Sequence, residues 1–231
     1  GTTQEFLARL KNPSLESRLR AHIAEREEKL GSWDKIVIAG VFTESNKQFE
    51  GISVLQGAKR TNKDPFTFMR DLLVEEKNRV DMVIFMMNED NLKRILSHPR
   101  VGVGCDGEVR APYGLLSSGK PHPRSYGTFP RVLGKYLRDE NILPMAEMIK
   151  KMTSQPAGFF GLSERGRLQR DFFADVVVFD PDRVEDRATW EEPHQYPEGI
   201  DYVLVNGQTV IAEGEHSGAL PGQVLAKQTK A

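Results

Sequence analysis

Val80-Asp81-Met82-Val83-Ile84-Phe85-Met86-Met87 is an almost unbroken apolar run of strand length. A run like this, without polar alternation, reads as a strand buried on both faces. Upstream, Ile36-Val37-Ile38-Ala39 within residues 35–41 has the same character, and downstream Val101-Gly102-Val103-Gly104 reads as a third strand. Helix signals fill the gaps. Ser53 opens a helix to about Lys59. Asp64-Pro65, a capping side chain followed by proline at the first helical position, opens another with Phe66, Met69, Leu72 and Leu73 on one side. Asn88 caps a third, holding Leu92, Ile95 and Leu96, and Pro99 ends it. Strand, helix, strand, helix, strand with fully apolar strands predicts an α/β fold with a parallel sheet and crossover helices. An open doubly wound sheet and a (β/α)8 barrel both satisfy the pattern.

Toward the N-terminus, Asn12-Pro13 predicts another capped helix, with Leu15, Leu19 and Ile23 at spacing four, reaching Leu30 and stopping at Gly31-Ser32. Beyond Asp106 regular patterning fails from Gly107 to Thr128. Irregular stretches of that length inside a compact domain are usually functional. Helical spacing returns with Val132, Leu133, Tyr136 and Leu137, and again after Pro144 with Met145, Met148, Ile149 and Met152. From about Leu162 the character changes. Ala174 to Asp180 is strand-like, and Asn206-Gly207 between two apolar runs is a strong hairpin signal. A small antiparallel β module is therefore expected at the C-terminal side, with the tail after Gly214 on a surface.

The 231 residues carry 32 Lys and Arg against 33 Asp and Glu, a formal charge of −1, so no electrostatic pull toward nucleic acid is expected. The single cysteine, Cys105, excludes an intramolecular disulfide and a cysteine-based zinc knuckle. The longest apolar runs are too short to span a bilayer. No charged-then-apolar leader opens the chain, which suggests a cytoplasmic protein, and Gly1-Thr2-Thr3 reads as a processed end.

Asp106 stands out as a candidate site residue. It heads the long irregular stretch directly after an apolar run, where parallel α/β folds place their active sites. A carboxylate there suits metal binding or proton transfer; the blander reading is an aspartate that caps a turn. In Pro121-His122-Pro123-Arg124-Ser125-Tyr126-Gly127 the prolines stiffen the backbone, and Arg124 can pair with a carboxylate. Between Cys105 and Arg131, four positive residues (Arg110, Lys120, Arg124, Arg131) outnumber Asp106 and Glu108, which suits a small anion or simply a solvated loop. His22, His98, His122, His194 and His216 have no spacing that sets two imidazoles on one metal. Cys105 reads as a packed, inert thiol, since no base partner is evident.

Taken together, these residues resemble a known family. Val101 to Gly107, the stretch Pro121 to Gly134, and Lys151-Met-Thr-Ser-Gln-Pro-Ala157 are similar to the N-acyl-D-amino-acid deacylases (D-aminoacylases) of the amidohydrolase superfamily. Arg165 to Leu168, Ala174 to Pro181, Pro193 to Gly199 and Val205-Asn-Gly207 match the same family. The resemblance covers nearly the whole chain and corresponds to the family's C-terminal part. It implies the C-terminal portion of a (β/α)8 metal-dependent hydrolase barrel over residues 1–161, followed by part of a small antiparallel β domain over residues 162–231.

The implied activity is zinc-dependent hydrolysis of the amide bond of N-acyl-D-amino acids. Asp106 would be the proton-shuttling, metal-side carboxylate, and Arg124 and Tyr126 would contact the substrate carboxylate. The zinc would be bound mostly by residues absent from this chain, so the chain alone is expected to be inactive. The expected partners are a small anionic N-acyl amino acid and either a second copy or the missing N-terminal half, with no nucleic acid and no membrane. Another amidohydrolase, dihydroorotase-like or dipeptidase-like, and a non-catalytic scaffold are the alternatives. The chain departs from the family pattern at Cys105, where serine is common, at Asp171, where glycine is usual, and in a longer Gly107–Lys120 stretch.

Overall fold

The computed structural model describes residues 1–225, which form two compact units. The first comprises Gly1–Met87, Val109–His122 and Thr189–His194; the second comprises Asn88–Glu108, Pro123–Ala188 and residues 195–225.

In the first unit, α1 (Thr3–Lys11) precedes the expected helix; Thr2 and Glu5 form its reciprocal cap. Asn12 caps a short 3₁₀ turn, Pro13–Leu15, and α2 follows as Glu16–Leu30. Gly31 ends α2 at φ 89°, the left-handed stop that its position predicts. Strand β1 (Ile36–Gly40) leads through a 3₁₀ turn at Glu44–Phe49 to α3 (Val54–Arg60), α4 (Pro65–Glu75) and β2 (Asp81–Ile84). The Asp64 side chain caps α4 as expected, and α3 starts where expected with the Ser53 side chain as its cap. Ile38, Val41, Phe49, Val54, Ala58, Phe68 and Leu72 form the core, with the Phe49 and Phe68 rings edge to face at 5.1 Å.

Two expectations for this unit fail. The β1–β2 pairing is antiparallel, not parallel, with Asp81 opposite Gly40 and Ile84 opposite Ile36. The chain passes through α3 and α4 and re-enters the sheet at the end from which it left, whereas a parallel pair needs a crossover to the opposite end. Strand β2 is not buried either: Met82 and Ile84 are exposed, as are Phe85, Met86 and Met87 beyond it. The other edge of β1 is taken by residues 51–53, through Ile38 N–H to the Ile52 carbonyl and Gly51 N–H to the Ile38 carbonyl. This leaves β2 at the margin of a two-stranded sheet.

A buried carboxylate holds the segment after β1. Glu76, 1% exposed, accepts hydrogen bonds from Phe42 N–H at 2.8 Å, Thr43 N–H at 3.1 Å and Asn46 Nδ2 at 2.7 Å. Burial pushes its pKa up, but these donors outweigh it and hold the carboxyl below its ordinary value.

In the second unit, α5 (Glu89–Ser97) starts at the Asn88 cap. Val101–Gly104 is not a strand: among the described residues it pairs with no neighbour in a ladder. Its backbone is satisfied instead by Lys151: Val103 N–H donates to the Lys151 carbonyl, and the Lys151 ammonium bonds the Val101 carbonyl. The expected irregular stretch ends early, because Pro123 leads into α6 (Arg124–Arg131). Pro130 lies inside α6 and removes an N–H donor, and the chain then widens into a π-helical stretch, Val132–Asp139. Helices α7 (Met145–Met152) and α8 (Ser154–Phe160) follow. Leu96, Val132, Leu133, Tyr136, Leu137, Met148 and Val184 make the core.

The β module appears as expected. Strands β3 (Val176–Phe179), β4 (Ile200–Val205), β5 (Gln208–Ala212) and β6 (Glu215–His216) form one antiparallel sheet in that order. Asn206 and Gly207 have φ 51° and 78°, the left-handed pair that a two-residue hairpin with matching twist requires. Asp175 accepts the Asn206 N–H and pairs with Arg165, which also reaches Asn206 Oδ1 at 2.5 Å. Asp171 has φ 67°; aspartate is among the few residues that tolerate this region.

Candidate functional site

Asp106 lies in irregular backbone of the second unit, between α5 and α6. It does not follow a strand, so its placement has another origin. Upstream, the Lys151 contacts hold residues 98–103. Downstream, the chain is bonded to the first turn of α6. Glu108 N–H donates to Ser125 Oγ at 3.2 Å, and Gly107 N–H points to Cys105 Sγ at 3.1 Å. A Cβ on Gly107 would come within 2.9 Å of both Cys105 Sγ and the Ser125 Cα, so only glycine allows so close an approach.

This approach brings Asp106 and Arg124 together. Arg124 Nη2 lies 2.7 Å from Asp106 Oδ2, with the side chains 43% and 90% exposed. A solvated ion pair of this kind contributes about 0–1 kcal/mol, so it holds a geometry yet exchanges readily for another carboxylate. Tyr126, on the same turn of α6, packs its ring against Tyr196 at 5.8 Å. Asp106 and Arg124, 18 positions apart, are thus brought into contact, and Tyr126 shares the helix turn of Arg124.

Cys105 is exposed, not packed. Its sulfur faces α6, 3.2 Å from Thr128 Oγ1 and 3.4 Å from the Arg124 carbonyl. The histidines take structural places. His22 is exposed on α2, and His98 ends α5. In the first unit, His194 Nε2 meets the Gly119 carbonyl at 2.9 Å and the His122 ring stands edge-on to Trp190 at 4.5 Å. Trp190 also meets Phe85 at 4.4 Å, a contact between distant segments that no local pattern announces.

Lys151 and Glu76 were not singled out by the sequence reading. Each sits among charged neighbours at a helix end, where a charge ordinarily reads as solvated. Among the described residues, no group of three or more His, Cys, Asp or Glu is placed to hold a metal ion. Asp106 offers one carboxylate, and a closed zinc centre needs three or four ligands. The residues present do not by themselves fit such a centre. Among the described residues, no helix is long and apolar enough to cross a membrane.

A sequence model of the Amidohydrolase family matches residues 43–211, and the chain belongs to the amidohydrolase family. Within it the chain is D-aminoacylase-like. It is 43% identical over 155 residues to the D-aminoacylase of Alcaligenes xylosoxydans xylosoxydans, covering 67% of this chain and 31% of that protein. It is 43% identical over 145 residues to the N-acyl-D-glutamate deacylase of the same organism, covering 63% of this chain and 28% of that one.

Among solved structures, it matches the Bordetella bronchiseptica N-acyl-D-glutamate deacylase, determined with zinc and a phosphonate mimic of the tetrahedral intermediate. The TM-score is 0.69 at 40% identity, over 79% of this chain and 36% of that one. A D-aminoacylase structure matches with a TM-score of 0.68 at 35% identity, over 80% and 36%. The chain therefore spans about a third of the length of these relatives. The expected α/β amidohydrolase fold with a small antiparallel β domain holds, apart from the antiparallel β1–β2 pair.

Proposed function

We propose that the protein carrying this chain hydrolyses the amide bond of N-acyl-D-amino acids, releasing a carboxylate and a D-amino acid. The observation that carries the reading is the Asp106–Arg124 pair in a chain 40% identical, over most of its length, to an N-acyl-D-glutamate deacylase. One residue is a proton carrier. The other is a cation suited to the carboxylate that every substrate of this class bears.

Water adds to the amide carbonyl; Asp106 accepts its proton and delivers it to the departing amine as the C–N bond breaks. Arg124 holds the α-carboxylate, with Tyr126 contributing to the same contact, which fixes the carbonyl relative to Asp106. The matched relative was solved with zinc. We propose zinc as the cofactor here as well, with Asp106 its only ligand from this chain and the others supplied by residues outside it.

The same reading assigns residues 1–161 to the C-terminal part of a (β/α)8 barrel and residues 162–231 to the small β domain; the four-stranded sheet within 176–216 supports the second assignment. It also assigns a cytoplasmic location. The exposed apolar margin of β2 supports pairing with further barrel strands or with a second copy.

The test is release of free amino acid by the zinc-loaded, full-length protein from matched N-acetyl-D and N-acetyl-L amino acids. Turnover of the D series alone is expected. No turnover of either series with zinc bound sinks the reading in favour of another amide, and a protein that binds no zinc points to a scaffold.

A further inference from the structure

The approach to Asp106 lacks the ladder that would fix a strand, yet its backbone is held at four points by residues of α7 and α8. The Lys151 side chain is 2% exposed, and its ammonium donates to the His98 carbonyl at 2.5 Å and the Val101 carbonyl at 2.6 Å. The Lys151 carbonyl accepts the Val103 N–H at 3.1 Å. Gln155 Nε2 adds a bond to the Pro99 carbonyl at 3.3 Å. A Cβ on Gly102 would stand 3.3 Å from the Lys151 carbonyl, so the two segments are in close contact.

We propose that Lys151 is a positioning residue: its ammonium and carbonyl staple residues 98–103 to α7 and thereby set where Asp106 stands. This rests on the reading of Asp106 as the proton carrier. Only Gly104 and Cys105 separate Val103 from Asp106, so a change in the path of 98–103 passes directly to the carboxylate. Two carbonyls three residues apart need a donor with several hydrogens at the end of a long stem, which the ammonium provides and an apolar side chain cannot. Burying an ammonium against carbonyls is a poor route to stability, since a well-packed apolar side chain of similar size would serve the core as well. What the lysine adds is a fixed path for the chain.

The test uses Lys151→Met, Lys151→Arg and Gly102→Ala in the full-length protein. Lys151→Met is expected to lower kcat by at least tenfold with KM within about threefold, because proton transfer is misplaced while the Arg124 contact survives. Lys151→Arg, which keeps the donors, should recover part of that loss. Gly102→Ala, which presses on the same joint, should lose kcat in the same way but less.

Independently of turnover, amide exchange over residues 101–107 should accelerate at least tenfold in Lys151→Met, with residues 132–137 unchanged. Wild-type kcat or unchanged exchange in Lys151→Met overturns the proposal. If that variant does not fold, unchanged exchange in Gly102→Ala overturns it. A wild-type protein that turns over no N-acyl-D-amino acid fails the functional reading, and exchange then decides the staple alone.

Discussion

The Arg124 guanidinium and the Asp106 carboxylate meet at 2.7 Å across 18 residues of sequence. The pair places the proposed proton carrier beside the proposed carboxylate receptor. Both side chains reach solvent, so the ion pair is weak enough to be displaced. On the proposed reading, a substrate carboxylate would compete with Asp106 for Arg124 and so release Asp106 to work on the amide.

Arg124→Ala removes the receptor. A charge-assisted contact of this kind is worth about 1.5–3 kcal/mol, so KM should rise roughly 10- to 100-fold with kcat little changed. Steady-state kinetics on an N-acyl-D-amino acid checks this; unchanged KM and kcat would remove Arg124 from the site.

Asp106→Asn keeps the shape and removes the proton carrier. General acid–base transfer accounts for about 10² to 10⁴ in rate, so kcat should fall by at least that much. A loss below about threefold sinks the assignment.

Gly107→Ala drives a methyl against Cys105 Sγ, the Ser125 Cα and the Arg124 carbonyl. Overpacking of this kind costs about 1–3 kcal/mol, and relief requires Asp106 to move away from α6. A lower melting temperature should come with reduced kcat. Full activity in the variant would show that the close approach is dispensable.

Glu76→Gln tests the buried carboxylate of the first unit. Gln places an NH₂ group where donors already converge, at a cost of about 2–3 kcal/mol, read by denaturant unfolding. The folded carboxyl lies below its ordinary value of 4.5. The unfolded chain therefore binds the proton first as pH falls. The stabilisation is complete above about 4.5 and is lost as pH drops through the folded value. The Gln variant should lack this part of the acid dependence; identical acid profiles would contradict the account.

The β2 margin bears Met86 and Met87 at 70% and 77% exposure, next to exposed Met82 and Ile84. The chain by itself should self-associate at micromolar concentration, and Ile84→Lys should reduce this association. A clean monomer in light scattering of the unaltered chain counts against it.

The elements that sequence located best carry local signals. The caps at Ser53, Asp64 and Asn88, the stop at Gly31 and the hairpin at Asn206-Gly207 are each decided by one or two residues. What it misjudged depends on distant partners. The apolar run at Val80–Met87 reads as buried, yet burial needs a neighbour on each side, and among the described residues β2 pairs with β1 alone. Val101–Gly104 has strand composition, but its backbone bonds go to Lys151, 50 residues away from Val101. Of the site, Asp106 and Arg124 were visible as residue types at the edge of an irregular stretch. Their contact was not, because it is made by Gly107 and α6, and the proline-rich run concealed that helix.

The first compact unit draws residues 189–194 from the far side of the chain. During synthesis, then, residues 1–87 leave the ribosome long before the last piece of their own unit exists. At about 5–20 residues per second, that interval lasts on the order of 5–20 seconds. Through it the Phe85 ring waits for Trp190 with its face bare. The newly made chain is thus exposed to chaperones and proteases for longer than a unit made from one continuous stretch, and a premature stop before residue 189 leaves both units unfinished.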